Sequence, residues 1–386
     1  MSKEINRREW LRRSALLTGG MTLLPGIWES LSAAPTMNTA ITNAVTGIAV
    51  PPDTSMPLKA RLFANENPFG PSDKVKQVIM DSLDTSYQYG FNYIPDLKKQ
   101  IAAYEGISED HILLGAGSSP LLMAASVHYS KNGGSIVTCD PTFDSLPRDA
   151  EALKAKWVKV PLTADYAFNL DGLQKAIDSN TSLVYIVNPN NPTGTVLDSD
   201  KLKAFCASVS KQVPVFVDEA YIDYLPNPKD ATLISNIKQG DNLIVARTFS
   251  KIYGLAGMRI GYIVAQPDTI KTLAKYNVEI VPTPSIKAAM AAYQDQDFMK
   301  MALAKTTASR DYLFGELKRA GHTYIPSITN FAMFPIPMKG EQFVNEMMKR
   351  SVAVRYWKFA GKEWCRVSIG RMEEMEAFVN ALKEVV

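Results

Sequence analysis

The sequence predicts an α/β protein: a mostly parallel, seven-stranded sheet sandwiched by helices, followed by a smaller α+β unit. Seven short runs rich in Val, Ile and Leu, at residues 112–114, 135–139, 156–160, 183–187, 213–217, 242–246 and 260–265, alternate with helix-like segments. Several are apolar at consecutive positions rather than at every second one, the pattern of strands buried on both faces by crossover helices. After residue 330 the order changes. Strand-like pieces at 331–335, 352–356 and 365–369 accompany a helix near 340–350, and another helix starts at Glu373, which predicts an α+β unit.

From the amino terminus, Asn6-Arg7-Arg8-Glu9-Trp10-Leu11-Arg12 precedes an uncharged stretch from Ser14 to Trp28 and the small-residue segment Ser30-Leu31-Ser32-Ala33-Ala34. Basic, apolar and small-residue regions in that order read as an export signal. Adjacent arginines followed by an aromatic and a leucine resemble the twin-arginine (Tat) signal, with Asn6 and Trp10 in place of the more usual Ser and Phe. The uncharged stretch is shorter than a membrane span needs and contains Gly19, Gly20, Pro25 and Gly26, so a removable signal is expected rather than a stable anchor. Residues 35–57 are rich in Thr, Ala, Asn and Pro without a period and read as a linker or arm. The expected organisation is therefore a signal at 1–34, the arm at 35–57, an N-terminal segment plus large domain at 58–290, and a small domain at 291–386.

The 386 residues carry 42 Lys+Arg against 39 Asp+Glu, a balance that gives no general pull toward nucleic acid and points to small-molecule partners. Cys139, Cys206 and Cys365 are far apart, an odd set that forms neither a disulfide framework nor a metal-ligand spacing. They read as small core residues. His111, His128 and His322 are equally isolated.

Ligands of open α/β sheets collect at the carboxyl ends of strands. Four such junctions are loaded with polar groups: Gly115-Ala116-Gly117-Ser118-Ser119, Asn188-Pro189-Asn190-Asn191-Pro192-Thr193-Gly194, Asp218-Glu219-Ala220-Tyr221, and Thr248-Phe249-Ser250-Lys251. The first opens a helix and offers backbone N–H groups to an anion such as phosphate. Asp218 ends an apolar run, where an ionised carboxylate requires a cationic partner such as a protonated ring nitrogen. Lys251 and Arg259 stand eight residues apart in the glycine-rich stretch that continues to Tyr262.

Together with Asn65-Glu66-Asn67-Pro68, these motifs in this order resemble the fold-type I pyridoxal phosphate (PLP) enzymes of the class I/II aminotransferases, and within them the histidinol-phosphate aminotransferase branch. The resemblance runs to about Arg371. It implies that Lys251 carries PLP as a Schiff base and moves the substrate proton, that Asp218 keeps the pyridine nitrogen protonated, and that Asn191 and Tyr221 hydrogen-bond the phenolic oxygen. Phe143 matches the aromatic stacked on the ring, while Gly117, Ser118, Ser250 and Arg259 match the phosphate site; Ser119 is a weaker match. Arg366 matches the arginine that forks onto a substrate α-carboxylate, Arg355 the one that meets a substrate phosphate, and Asn67 a residue on the substrate side. Tyr89 matches the tyrosine lent to the neighbouring subunit, with Tyr87 and Tyr93 as alternatives because the stretch lacks the family's Tyr-Pro pair. Each choice implies a homodimer.

Histidinol phosphate is a cytoplasmic intermediate, so an export signal favours a periplasmic aminotransferase acting on a free amino acid or a related amine-bearing acid. Alternatives within PLP chemistry are a histidinol-phosphate aminotransferase proper and a decarboxylase of the threonine-phosphate type. From another class, Ser208-Val209-Ser210-Lys211 fits the Ser-x-x-Lys pattern of exported acyl hydrolases but lacks its companion motifs.

Overall fold

The computed structural model describes residues 57–386; the twin-arginine-like segment and the arm up to residue 56 lie outside the described residues. The first strand, β1 (Ala60–Arg61), is followed by the strands of the central sheet: β2 (Ile112–Gly115), β3 (Ser135–Asp140), β4 (Lys156–Pro161), β5 (Thr181–Val187), β6 (Val215–Asp218), β7 (Leu243–Thr248) and β8 (Gly261–Ala265). Their order is β2-β8-β7-β6-β5-β3-β4. Among the described residues only β8 runs against the rest, pairing antiparallel with both β2 and β7. The seven apolar runs thus form the seven strands, with ends displaced by a residue or two. Strand β6 starts at Val215 rather than 213 because Pro214 has no N–H to donate and contributes only its carbonyl, to Val184 N at 3.0 Å.

Every residue of β6, β7 and β8 is buried, which explains why these strands lack polar alternation. Each Val, Ile or Leu so placed contributes about 1.5–3 kcal/mol relative to exposure, and the helices between strands supply the cover. Their starts are written locally: Ser72, Asn169, Asp198 and Asp295 each accept a backbone N–H from the first turn of the helix they precede. Cys139, Cys206 and Cys365 are all buried free thiols, and burial pushes the Cys139 thiol up to about 12.

The carboxyl-terminal layer is a three-stranded antiparallel sheet, order β11-β12-β9, made of β9 (Phe331–Ile336), β11 (Arg355–Phe359) and β12 (Lys362–Ser368). Residues 352–356, expected as one strand, are divided. Strand β10 (Val352–Ala353) pairs in parallel with β1, whereas β11 pairs with β12, and Val354 marks the change of partner. The chain just after residue 57 is thereby stitched to this layer, and the segment following β1 is led across the mouth of the central sheet. The expected helices near 340–350 and after Glu373 are Gly340–Lys349 and Met372–Val385.

Candidate active site

Because β8 runs opposite to its neighbours, its amino end and the carboxyl ends of the other six strands share one edge of the sheet. Asp218 is the last residue of β6, Lys251 lies three residues past β7, and Arg259 lies two residues before β8. Asn191, Ser118 and Phe143 follow β5, β2 and β3. With Arg355 and Arg366 from the carboxyl-terminal layer, they line a cavity of about 270 Å³.

Two buried charges of opposite sign dominate this cavity. Asp218 is 3% exposed, makes no salt bridge among the described residues, and accepts a hydrogen bond from Ala220 N at 3.0 Å. Desolvation, outweighing the Ala220 hydrogen bond and the positive charge of Lys251, pushes its carboxyl up to about 6. Arg366, 2% exposed, donates to Asn191 Oδ1 at 2.8 Å and to the Phe63 carbonyl at 2.6 Å. Among the described residues its Nε has no hydrogen-bond partner and no carboxylate faces it; burial first, and the charge of Arg355 second, pull the guanidinium down to about 9. Uncompensated charges are kept in an interior when a ligand completes them. Asp218 calls for a cation and Arg366 for an anion.

Between them Lys251 Nζ donates to the Asn65 carbonyl at 3.3 Å and stands 5.4 Å from the centre of the Tyr221 ring. Tyr221 is buried, edge-on to Phe331 with centroids 5.0 Å apart, and its hydroxyl accepts from Asn65 Nδ2 at 3.0 Å. Since Asn191 Oδ1 is taken by Arg366, the Asn191 amide has its N–H groups left to offer the cavity.

At the opposite end Ser118 and Ser119 open the helix Ser119–Ser130, and the Ser118 side chain makes no capping hydrogen bond with it. The hydroxyls of Thr248 and Ser250 are 3.0 Å apart, and Arg259 Nη1 donates to the Ala256 carbonyl at 3.0 Å. Gly117 has φ +88, and a Cβ there would stand 2.3 Å from Arg259 Nη2, so only glycine lets the guanidinium reach the helix start. Hydroxyls, a helix amino end and an arginine form a dianion cradle.

Most of the residues singled out in the sequence meet here: Ser118, Phe143, Asn191, Asp218, Tyr221, Ser250, Lys251, Arg259, Arg355 and Arg366 all line the cavity, and Gly117 packs beneath Arg259. Asn67 does not. Its amide is spent on backbone, donating to the Ile252 carbonyl at 2.7 Å and accepting from Phe69 N at 3.0 Å, so it shapes a turn instead of lining the substrate side. Tyr89 is 71% exposed, outside this cavity and stacked on Phe91. Tyr87 is more exposed still, while Tyr93 is half-buried under Lys287. Ser208 and Lys211 are exposed at a helix end and contribute nothing to the cavity. Sequence reasoning missed Asn65 and Thr248; both belong to the quoted motifs, and only the three-dimensional path shows which members of a motif face inward.

A pyridine ring with a phosphate arm fits this donor set: a carboxylate for the ring nitrogen, an amine for the aldehyde, and a dianion cradle at the far end. The fold and the site together define a PLP-dependent enzyme. The family model for aminotransferase class I and II matches residues 59–382. The chain belongs to that family and is a PLP-dependent aminotransferase. Among its relatives, the histidinol-phosphate aminotransferase of Moorella thermoacetica is 32% identical over 332 residues, covering 84% of this chain and 85% of the relative. Histidinol-phosphate aminotransferase 1 of Idiomarina loihiensis is 34% identical over 334 residues, covering 84% and 89%. The crystal structure of the histidinol-phosphate aminotransferase of Sinorhizobium meliloti in complex with pyridoxal-5'-phosphate superimposes with a TM-score of 0.78 at 29% identity, covering 85% of this chain and 91% of that one.

Proposed function

We propose that this aminotransferase takes its amino group from a free amino acid or a related amine-bearing acid, whose carboxylate Arg366 receives, and that it acts outside the cytoplasm. The observation that carries the substrate class is the Arg366 guanidinium, buried and, among the described residues, without an acidic partner and with Nε unpaired. A forked carboxylate completes it, and planar two-point geometry is what a guanidinium offers and an ammonium does not. Arg355, at the same end of the cavity, suits a second anionic group on donor or acceptor.

When bound, PLP supplies an electron sink for the pair left at the substrate α-carbon. Asp218 holds a proton at the ring nitrogen, and Tyr221 and Asn191 donate to the phenolic oxygen. Lys251, hydrogen-bonded to the Asn65 carbonyl, removes and returns the proton at the substrate α-carbon. Ser118, Ser250 and Arg259 would hold the phosphate, with Ser119 beside them, and Phe143 would stack on the ring.

The working unit is a homodimer. Met80, Leu83, Tyr87, Tyr89 and Phe91 expose 56–83% of their surface along one segment, an apolar patch that favours a second copy. That patch includes Tyr89, the tyrosine matched to the partner's phosphate site. The twin-arginine-like start supports export by a route for folded proteins, which suits an enzyme loaded with cofactor before it leaves.

A second reading, transamination of histidinol phosphate, draws on the names of the curated relatives and on Arg355 as a phosphate contact. The purified protein incubated with amino acids or with histidinol phosphate, each with 2-oxo acids, separates the readings. Amino-acid turnover without histidinol-phosphate turnover supports the first, the reverse supports the second, and carbon dioxide release in place of an oxo acid sinks both. Fusing residues 1–34 to a reporter tests export, which fails if the reporter stays in the cytosol.

A further inference from the structure

We propose that Asn65 is a positioning residue for the cofactor: it fixes the direction of the Tyr221 hydrogen bond, so that the phenolic proton is delivered into the cavity. The inference rests on the proposed facing of Tyr221 toward PLP and adds the residue that makes Tyr221 a donor there.

The direction follows from counting protons. Asn65 N–H donates to Ser368 Oγ at 2.8 Å, and Ser368 Oγ lies 3.0 Å from Asn65 Oδ1. The serine hydroxyl accepts from that backbone N–H and donates its single proton to Oδ1; turned the other way, the amide would leave that proton without an acceptor among the described residues, so this end is the oxygen. The other end is therefore NH2, and it donates to Tyr221 Oη at 3.0 Å. A phenol has one proton and can accept through its lone pairs. With Asn65 supplying a donor, the proton of Tyr221 cannot turn toward Asn65 and is left for the cavity, where Lys251 and Asn191 also point.

The backbone supports the same reading. Asn65 is left-handed at φ 53, a conformation that Asn tolerates better than most residues, and it is 1% exposed, so water does not compete for these bonds. In that conformation its N–H meets Ser368 of β12 while its carbonyl accepts from Lys251 Nζ at 3.3 Å and from Asn330 Nδ2 at 3.0 Å. One residue thus ties the carboxyl-terminal layer to both Lys251 and Tyr221. A proton donated to the phenolic oxygen stabilises its anion and lowers the basicity of the nitrogen joining Lys251 to PLP, which the visible absorption band reports as a function of pH.

The experiment is a pH titration of that band in the PLP-loaded protein, in a four-member cycle of wild type, Asn65→Asp, Tyr221→Phe and the double variant, with PLP affinity measured in parallel. Asp reverses the bond by accepting from Tyr221. Tyr221→Phe is expected to raise the midpoint by about one pH unit, and Asn65→Asp to raise it by a similar amount, with at least half of that rise vanishing when residue 221 is Phe. Asn65→Gly, which keeps the left-handed backbone, provides a second cycle if the Asp variant does not load. It shifts the midpoint in the same direction by less, and only when Tyr221 is present. Equal shifts by the Asn65 variants in both backgrounds overturn the inference, since charge or general loosening then explains them. A midpoint unmoved by Tyr221→Phe overturns instead the reading of Tyr221 on which it rests.

Discussion

Asp218→Asn removes an ionisable group that the folded chain accommodates only at a cost, and the effect should be opposite in the empty and loaded protein. Burial raises the Asp218 carboxyl from its ordinary 3.8 to about 6. The folded state therefore holds that proton more tightly than the unfolded chain does. Its contribution to stability is fully present below about pH 4 and is lost as pH rises through 6. A difference of about two pH units at about 1.4 kcal/mol each makes the ionised carboxylate cost about 3 kcal/mol at neutral pH. Asn mimics the protonated form at every pH and can still accept from Ala220 N. Urea unfolding of PLP-stripped protein should thus find the Asn variant more stable than wild type by up to about 3 kcal/mol at pH 7.5, with the gap closing toward pH 4. Asp223, also raised to about 6 by burial, titrates in both proteins and cancels from the difference. With PLP bound, wild-type Asp218 gains its cationic partner, and wild type should overtake the variant. A gap independent of pH, or an empty variant no more stable than wild type at pH 7.5, would refute the claim that Asp218 is a buried charge awaiting a cation.

Borohydride reduction of the loaded protein should fix PLP on the peptide containing Lys251, read by mass spectrometry; label on any other lysine sinks the assignment. Gly117→Ala places a methyl group 2.3 Å from Arg259 Nη2 at φ +88, and PLP affinity followed by absorbance titration should fall by at least about tenfold, roughly 1.4 kcal/mol. Arg366→Lys keeps the charge but loses the fork, so kcat/KM for amino-acid donors should drop about 30- to 100-fold, roughly 2–3 kcal/mol, in steady-state assays while PLP stays bound. An unchanged kcat/KM would move the carboxylate site elsewhere.

The central sheet was legible because its strands are apolar on both faces: β7 as Leu243–Thr248 and β8 as Gly261–Ala265 could hardly be helices in that setting. Motif order then located Asp218, Lys251 and Arg259. Residues 352–356 were harder, because five consecutive strand-like residues do not reveal that Val352 and Arg355 pair with different partners far apart in sequence. Asn65 and Asn67 show the same limit at the site. They are chemically identical and two residues apart, and a left-handed backbone at Asn65 decides that one amide meets Tyr221 while the other is consumed by Ile252 and Phe69. Side-chain direction at such a turn is set by contacts across the whole chain, including Ser368, and no local pattern carries it.

The lone antiparallel strand of the sheet has a consequence for ligand choice. By reversing direction, β8 brings Arg259 back to the edge that Lys251 has just left, so one continuous loop of seven intervening residues holds both jaws. On the proposed assignments the amine grips the aldehyde end of PLP and the guanidinium its phosphate, and the loop works as a caliper that sets both grips together. Pyridoxal lacking its phosphate would leave one jaw closed on nothing. A residue inserted between Lys251 and Arg259 would alter the gauge for both ends at once, although no gripping side chain had been touched.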